Sequence, residues 1–300
     1  MVNTEYWFAK LASLRVDRAW GDSALHKPLL LLVILELAEQ GLLPEALLPL
    51  SPELAFRFFT FWNIVAHRRN QRPDIRLPFH HLQSDGFWAA YSEGGEASPD
   101  KCLTRYAALN PGFIAFAKDP VARDKTRRIL IAKYFQPSER LALYALVGLP
   151  IPSEGEIIQD TNYKLPHYGQ EQGREARFRL TLIAAYDYTC ALTGYKLMTI
   201  TGASIVDAAY IHQFADSRNN DPCNGIALCK NAHWLFDQGL WTISDDHRVI
   251  VATGQFAKQS PDHKGLRDYH GQRVHLPSDP ALYPKLTYLT WHRKNKFQGR

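Results

Sequence analysis

Through the first half of the chain, apolar residues recur at helical spacing between short polar breaks. Leu29 to Gln40 is almost wholly apolar and stops at Gly41. That pattern predicts a helix buried on most faces, lying in the middle of a domain. Asp22-Ser23 before Leu25-His26-Lys27-Pro28 predicts its start, a capping side chain followed by proline in the first turn. Ser51-Pro52 repeats the signal ahead of Pro52 to His67, where Phe56, Phe59, Trp62 and Ile64 fall on a helical period. From Ile75 to Trp88 the period breaks at Pro78, Asp85 and Gly86. This stretch predicts a short strand, a turn and a second strand opening at Phe87-Trp88-Ala89-Ala90-Tyr91. Val121 to Phe135 and Glu139 to Val147 predict two further helices.

After Gly148 the texture changes. Pro150, Pro152, Gly155, Pro166, Gly169 and Gly173 punctuate a polar stretch that predicts a linker. Arg174 to Tyr188 returns to helical spacing. A strand, a loop rich in Asn and Asp, an Asn-Gly turn and a short helix are predicted between Cys190 and Trp241. Trp241 to Ile243 and Arg248 to Ala252 predict strands around Ser244-Asp245-Asp246, and Tyr283 to Arg300 is a partly basic tail. The expectation is an α+β chain. A mainly helical domain with a small β element spans 1–148, a linker spans 149–173, and a second domain spans 174–300.

Composition narrows the class. Apolar residues make up 46% and aromatics 12%, enough for each domain to bury a core and too many for a disordered or fibrous chain. Lys plus Arg exceeds Asp plus Glu by 35 to 30, a mild positive balance that permits an anionic partner without demanding one. Cys102, Cys190, Cys223 and Cys229 lack the spacing of paired zinc knuckles. They read as free thiols of a reducing cytoplasm, with Cys190 and Cys229 as core thiols. The longest apolar run, Pro28 to Leu35, is too short to cross a bilayer. The opening residues carry no basic region of the kind that precedes a secretion signal.

The richest chemistry lies in C-A-L-T-G at Cys190, Asp207-Ala208-Ala209-Tyr210-Ile211-His212, Asn224-Gly225, and His233-Trp234-Leu235-Phe236-Asp237-Gln238-Gly239. This order resembles the HNH (ββα-metal) endonuclease family, in the variant of bacterial restriction-type nucleases. Its pattern is a Cys near an initial helix, an A-A-H-I strand, an N-G, and an H-x-x-F-D-x-G helix. The resemblance implies two short strands and a helix holding one divalent cation, Mg²⁺ or Mn²⁺ with Zn²⁺, Ni²⁺ or Co²⁺ as alternatives. Hydrolysis of a phosphodiester needs a deprotonated water and a neutralised leaving oxygen, which a hard cation and an imidazole supply. Carried over, His233 is the metal-binding helix histidine, and Asp207 a second ligand from the strand. Asn224 pins the loop that orients the base, and Asp237 caps or braces the helix end. The expectation is that His233 and the Asn224 amide converge on one ion-sized hollow beside the strand of Tyr210.

Tyr210 stands where the family has its base histidine. A phenol titrates near about 10 and takes a proton at neutral pH only if strongly depressed. His212, two residues on and on the same strand face, is the alternative base, through a shifted register or a water. The third reading is that Tyr210 inactivates or impairs the site and leaves binding intact.

The first domain offers the basic run His67-Arg68-Arg69-Asn70-Gln71-Arg72 and the cluster Arg123, Lys125, Arg127 and Arg128, whose guanidinium groups suit phosphate forks. H-K-P-L-L-L-L followed by P-F-x-x-L-x-x-D-G-x-W resembles the sulfur-binding domain that precedes the HNH domain in type IV, modification-dependent restriction enzymes. That resemblance implies recognition of phosphorothioated double-stranded DNA. A larger, less hydrated sulfur is told from oxygen by a small apolar pocket rimmed by cations, each contact contributing ~1–3 kcal/mol. Leu77, Pro78 and His81 are the expected pocket, with Leu77 where the family has an aromatic. Arg68, Arg69, Arg72 and Arg76 are the expected backbone grips. The chain is thus expected to be a modification-dependent endonuclease of phage defence, impaired to the extent that Tyr210 matters, acting as a homodimer away from membranes. The alternatives are a non-catalytic modified-DNA-binding protein and an HNH nuclease that reads a modified base.

Overall fold

The computed structural model describes residues 4–17, 24–66, 71–151, 168–257 and 264–299. They form two compact units, Met1–Arg177 with Thr199–Ala203, and Phe178–Met198 with Ser204–Arg300. Most of the predicted linker, and the expected helix start at Asp22-Ser23, lie outside the described residues.

The first unit is built round one apolar helix. α1 (Thr4–Ala12) is followed by α2 (His26–Glu39), in which Leu29 to Leu35 are without exposed surface. A helix apolar on all sides must be wrapped, and α2 packs against α3 (Pro52–Ile64), α4 (Arg76–His81), α5 (Pro111–Lys118) and α6 (Pro120–Tyr134). α7 (Pro137–Leu146) packs on α3 and α6. Each fully buried leucine of α2 contributes about 2 kcal/mol. Ser51, Asn110 and Asp119 cap α3, α5 and α6 through their side chains, each followed by proline at the first helical position. A three-stranded antiparallel sheet orders β1 (Leu47–Pro49), β3 (Tyr106–Leu109) and β2 (Trp88–Tyr91) with β3 central.

One expectation fails here. Arg76 to His81 is helical, continued by a 3₁₀ turn over Leu82–Asp85, and only the second predicted strand forms. Pro78 does not break α4 because it sits in the first turn, where its missing N–H has no intrahelical partner to lose. The Asp74 carboxylate accepts the Arg76 N–H at 3.1 Å and sets the helix start.

The second unit opens on α8 (Tyr168–Ala185), which the unit boundary crosses between Arg177 and Phe178. β4 (Val206–Tyr210) pairs antiparallel with β5 (Gly225–Cys229), setting Asp207 opposite Leu228 and Tyr210 opposite Gly225. A single helical turn, α9 (Phe214–Ser217), lies in the loop between them. α10 (Lys230–Asp237) follows β5 directly and packs on both strands. β6 (Trp241–Ile243) and β7 (Val249–Val251) make a second hairpin, and α11 (Leu286–Asn295) packs against β6. The fully buried Trp241 donates its indole N–H to the Ala232 carbonyl at 3.1 Å and fixes that hairpin to α10. The predicted basic tail therefore contains a helix. Its apolar signal is thin because few of its side chains, Leu289 and His292, are buried.

Candidate functional site

Strand–strand–helix geometry gathers the motif residues of the second unit. Phe178 of α8 stacks on the Tyr210 ring at 4.3 Å and 3° between planes. The Tyr210 hydroxyl donates to Asn220 Oδ1 at 2.6 Å. Opposite Tyr210, Gly225 is extended at φ −130°, so Asn224-Gly225 is a strand entry and not the predicted reverse turn. Glycine is needed there for packing: a Cβ would lie 2.5 Å from Leu182 Cδ2 and 2.7 Å from Phe178 Cζ. Gly239, just after α10, is needed for two reasons. Its φ is +67°, and a Cβ would meet the Lys296 carbonyl oxygen at 2.0 Å.

Asn224 has no exposed surface. Its Oδ1 accepts the His212 N–H at 2.8 Å, and its Nδ2 donates to the carbonyls of His212 at 3.0 Å and Asn219 at 3.3 Å. The amide thus ties both ends of the 212–219 loop. A buried amide satisfied wholly by backbone fixes a loop firmly, because each broken bond would strand a polar group away from water.

His233 lies on α10 with its side chain partly exposed, and its Nε2 is 3.4 Å from Asp237 Oδ2 one turn on. Asp237 faces His233 and does not cap the helix, whose C-cap is Gln238. The i, i+4 spacing in the sequence was the available signal for this pairing. Asp207 is engaged elsewhere: its Oδ1 accepts from Arg179 Nε at 2.8 Å. Among the described residues no three His, Cys, Asp or Glu side chains come together. One imidazole and one carboxylate 3.4 Å apart do suit a hard divalent ion that keeps water or phosphate oxygens as its other ligands.

The His212 ring stacks on Trp291 of α11 at 4.0 Å. Tyr288 of the same helix accepts a hydrogen bond from Asn219 Nδ2 at 2.7 Å. α11 therefore also holds the 212–219 loop, through Trp291 and Tyr288. His292 stacks on Phe236 at 3.8 Å. Its Nε2 lies 3.3 Å from the Phe236 carbonyl and its Nδ1 2.8 Å from Thr242 Oγ1. A carbonyl only accepts, so Nε2 carries the proton and Thr242 donates to Nδ1. Burial pushes the His292 pKa down to about 4.

The first unit holds a cavity of about 580 Å³ lined by Leu77, Pro78 and His81, the three residues expected to form the pocket, and by Arg72, expected as a backbone grip. It is also lined by Arg15, Val16, His26, Lys27, Gln71, Asp74 and Ser84, which were not expected. His26 and Lys27 had been read only as a helix start. His26 Nε2 donates to the Arg72 carbonyl at 2.7 Å. Burial holds His26 below the usual imidazole range against that bond, and burial with His80 and Lys27 nearby does the same for His81. The Lys27 ammonium is 2.6 Å from Asp85 Oδ2 in a buried pair.

The other expected phosphate grips fare differently. Arg76 is not among the lining residues and forks onto Asp74 with Nε at 2.9 Å and Nη2 at 3.1 Å. Arg68 and Arg69 lie outside the described residues. The Arg123–Arg128 cluster is only half open, with Lys125 and Arg128 exposed. Arg127 is 1% exposed and paired with Glu39 at 2.8 Å, Arg123 is buried, and Lys125 and Arg128 lie over the rings of Phe8 and Tyr144. Four of its helical positions alternate between core and rim, which a count of charges along the chain cannot show.

Residues 190–244 match the HNH endonuclease family. No curated protein matches the chain. Among solved structures, it is similar to a modification-dependent TagI restriction endonuclease at 20% identity and a TM-score of 0.30, over 40% of this chain and 37% of that one. It is also similar to the sulfur-binding domain of SprMcrA complexed with phosphorothioated DNA, at 18% identity and a TM-score of 0.38, over 49% of this chain and 94% of that one. The chain thus spans well under half the length of the TagI enzyme it resembles.

Proposed function

We propose, from the HNH endonuclease domain at residues 190–244, that this chain is a modification-dependent DNA endonuclease whose first unit selects phosphorothioated duplex DNA. The observation that carries the reading is the family match falling on a β4–β5–α10 unit in which His233 and Asp237 sit side by side and Asn224 clamps the adjoining loop. His233 and Asp237 are the residues to hold the divalent ion, which when bound neutralises charge on the departing oxygen. His212 is the side chain available to take a proton from water, its ring set by Trp291 and its backbone by Asn224. Asp207 is the less suited ligand, since Arg179 already neutralises it.

The mark is assigned to the cavity of the first unit. Leu77 and Pro78 give it apolar wall, and Arg15, Arg72 and the two histidines give it a polar and cationic rim that Asp17 and Asp74 share. That combination favours a large, weakly hydrated anionic sulfur over oxygen. One such unit breaks one strand, so a double-strand break calls for two copies on the DNA.

A second reading rests on Tyr210. Its phenol is stacked on Phe178 and hydrogen-bonded to Asn220, which suits a structural side chain better than a base. On that reading the chain binds modified DNA without cutting it. Incubating the chain and Tyr210→His with phosphorothioated plasmid and Mg²⁺ or Mn²⁺ separates the two. Cleavage by the parent chain supports the nuclease, cleavage by Tyr210→His alone shows a finger disabled at Tyr210, and cleavage by neither, with binding retained, supports the binder.

A further inference from the structure

We propose that Cys190 and Cys229 form an oxidative modification site, a dithiol that a peroxide converts to an intramolecular disulfide at the start of the helix bearing His233. The two sulfurs lie 3.6 Å apart although the residues are 39 positions apart in sequence. Cys229 ends β5 and is the N-cap residue of α10. Cys190 opens the turn whose Gly194 N–H donates to the Cys190 carbonyl at 2.8 Å. The strand end at Cys229 and the hydrogen-bonded turn at Cys190 hold the two sulfurs close enough that a shift of about 1.5 Å brings them to bonding distance.

The setting favours one negative charge on the pair. The Cys190 thiol donates to Cys229 Sγ, and a thiol donating to a neighbouring sulfur favours a single negative charge on the pair against the effect of burial. Cys190 is fully buried and Cys229 is partly exposed, so the pair has one reachable sulfur and one guarded one. Proton transfer between the sulfurs puts the charge on the reachable Cys229. Its thiolate attacks one peroxide oxygen, the O–O bond breaks, and the departing hydroxide takes a proton to become water. Cys190 then attacks the sulfenic sulfur, the S–S bond forms, and the second oxygen leaves as water. Each thiol gives up one proton and one electron, and the peroxide takes up two of each. The product ties the Cys190 turn to the N-cap residue of α10. This chemistry does not depend on whether the chain cuts DNA.

The test is a hydrogen peroxide titration of the reduced full-length chain, followed by peptide mapping without reductant. The exposed Cys102 is an internal comparison. The expected result is a Cys190–Cys229 cross-link that forms at peroxide levels no higher than those that modify Cys102. It should be reversed by dithiothreitol and absent in Cys229→Ser. Hydrogen exchange of the Lys230–Asp237 amides should slow by about an order of magnitude on oxidation. Should Cys190 and Cys229 stay reduced while Cys102 is oxidised, or should either link to another cysteine instead, the proposal fails. Exchange of α10 unchanged by a formed cross-link would overturn the tethering. Cys190→Ala, which removes the guarded sulfur, keeps the test readable if Cys229→Ser does not fold.

Discussion

Asn224 and His212 exchange a pair of hydrogen bonds: Asn224 Oδ1 accepts the His212 N–H at 2.8 Å, and Asn224 Nδ2 donates to the His212 carbonyl at 3.0 Å. The side chain of one residue thus mimics a strand for the backbone of the other, just past the end of β4. Replacing Asn224 by Ala strands the His212 N–H and two carbonyls in a buried site. We expect a loss of about 2–4 kcal/mol in denaturant unfolding, with faster hydrogen exchange across the 212–219 loop. Asn224→Asp turns a buried carboxylate onto the His212 and Asn219 carbonyl oxygens, so at neutral pH it should be at least as unstable as the Ala variant.

Tyr210→His puts an imidazole at the strand position that resembles the base position of HNH endonucleases. The change removes a ring stack worth about 1 kcal/mol and the bond to Asn220. If His212 serves poorly as base, cleavage of modified plasmid should rise by roughly 10²–10⁴-fold. His212→Ala in the same background separates the two imidazoles.

His233→Ala and Asp237→Ala each remove one of two adjacent donors. Titration calorimetry with Mn²⁺ should show binding to the parent chain and its loss, or weakening by at least about tenfold, in either variant. Asp207→Ala should change it far less, because that carboxylate is held by Arg179. Retained Mn²⁺ affinity in both helix variants would move the ion elsewhere.

His292 makes stability depend on pH. The folded state keeps the ring neutral with a pKa of about 4, and the unfolded ring titrates near about 6.5. The unfolded chain therefore binds the proton first as pH falls. Stability is fully present above about pH 7 and declines by up to ~3 kcal/mol between about pH 6.5 and 4. Urea unfolding of the chain and of His292→Gln across that range checks the sign. The variant should be less stable at pH 7 and should lose less on acidification.

Much of this was legible where local chemistry decides. The Ser51-Pro52 signal set the start of α3, the apolar run from Leu29 gave the central helix, and the H-x-x-F-D-x-G segment gave α10. What escaped depended on partners distant in the chain. Leu77 and Pro78 were read as strand because a proline in a first helical turn looks locally like a break. His26 and Lys27 join the cavity only because α2 lies beside α4, a packing relation that no run of residues records. Trp291 and Tyr288 matter through contacts with residues 79 and 69 positions away, to His212 and Asn219. Asp237 was within reach, since its i, i+4 spacing from His233 puts both on one helix face.

The most direct test of the account is the affinity of the full chain for two duplexes of one sequence, one phosphorothioated and one plain, at a fixed salt concentration. It reads the first unit whether or not the second one cuts. The account predicts tighter binding to the phosphorothioated duplex by at least about tenfold, with that preference abolished by a polar or charged replacement of Leu77 or Pro78 in the cavity wall. Equal affinity for the two duplexes, or a preference that survives both replacements, would contradict it.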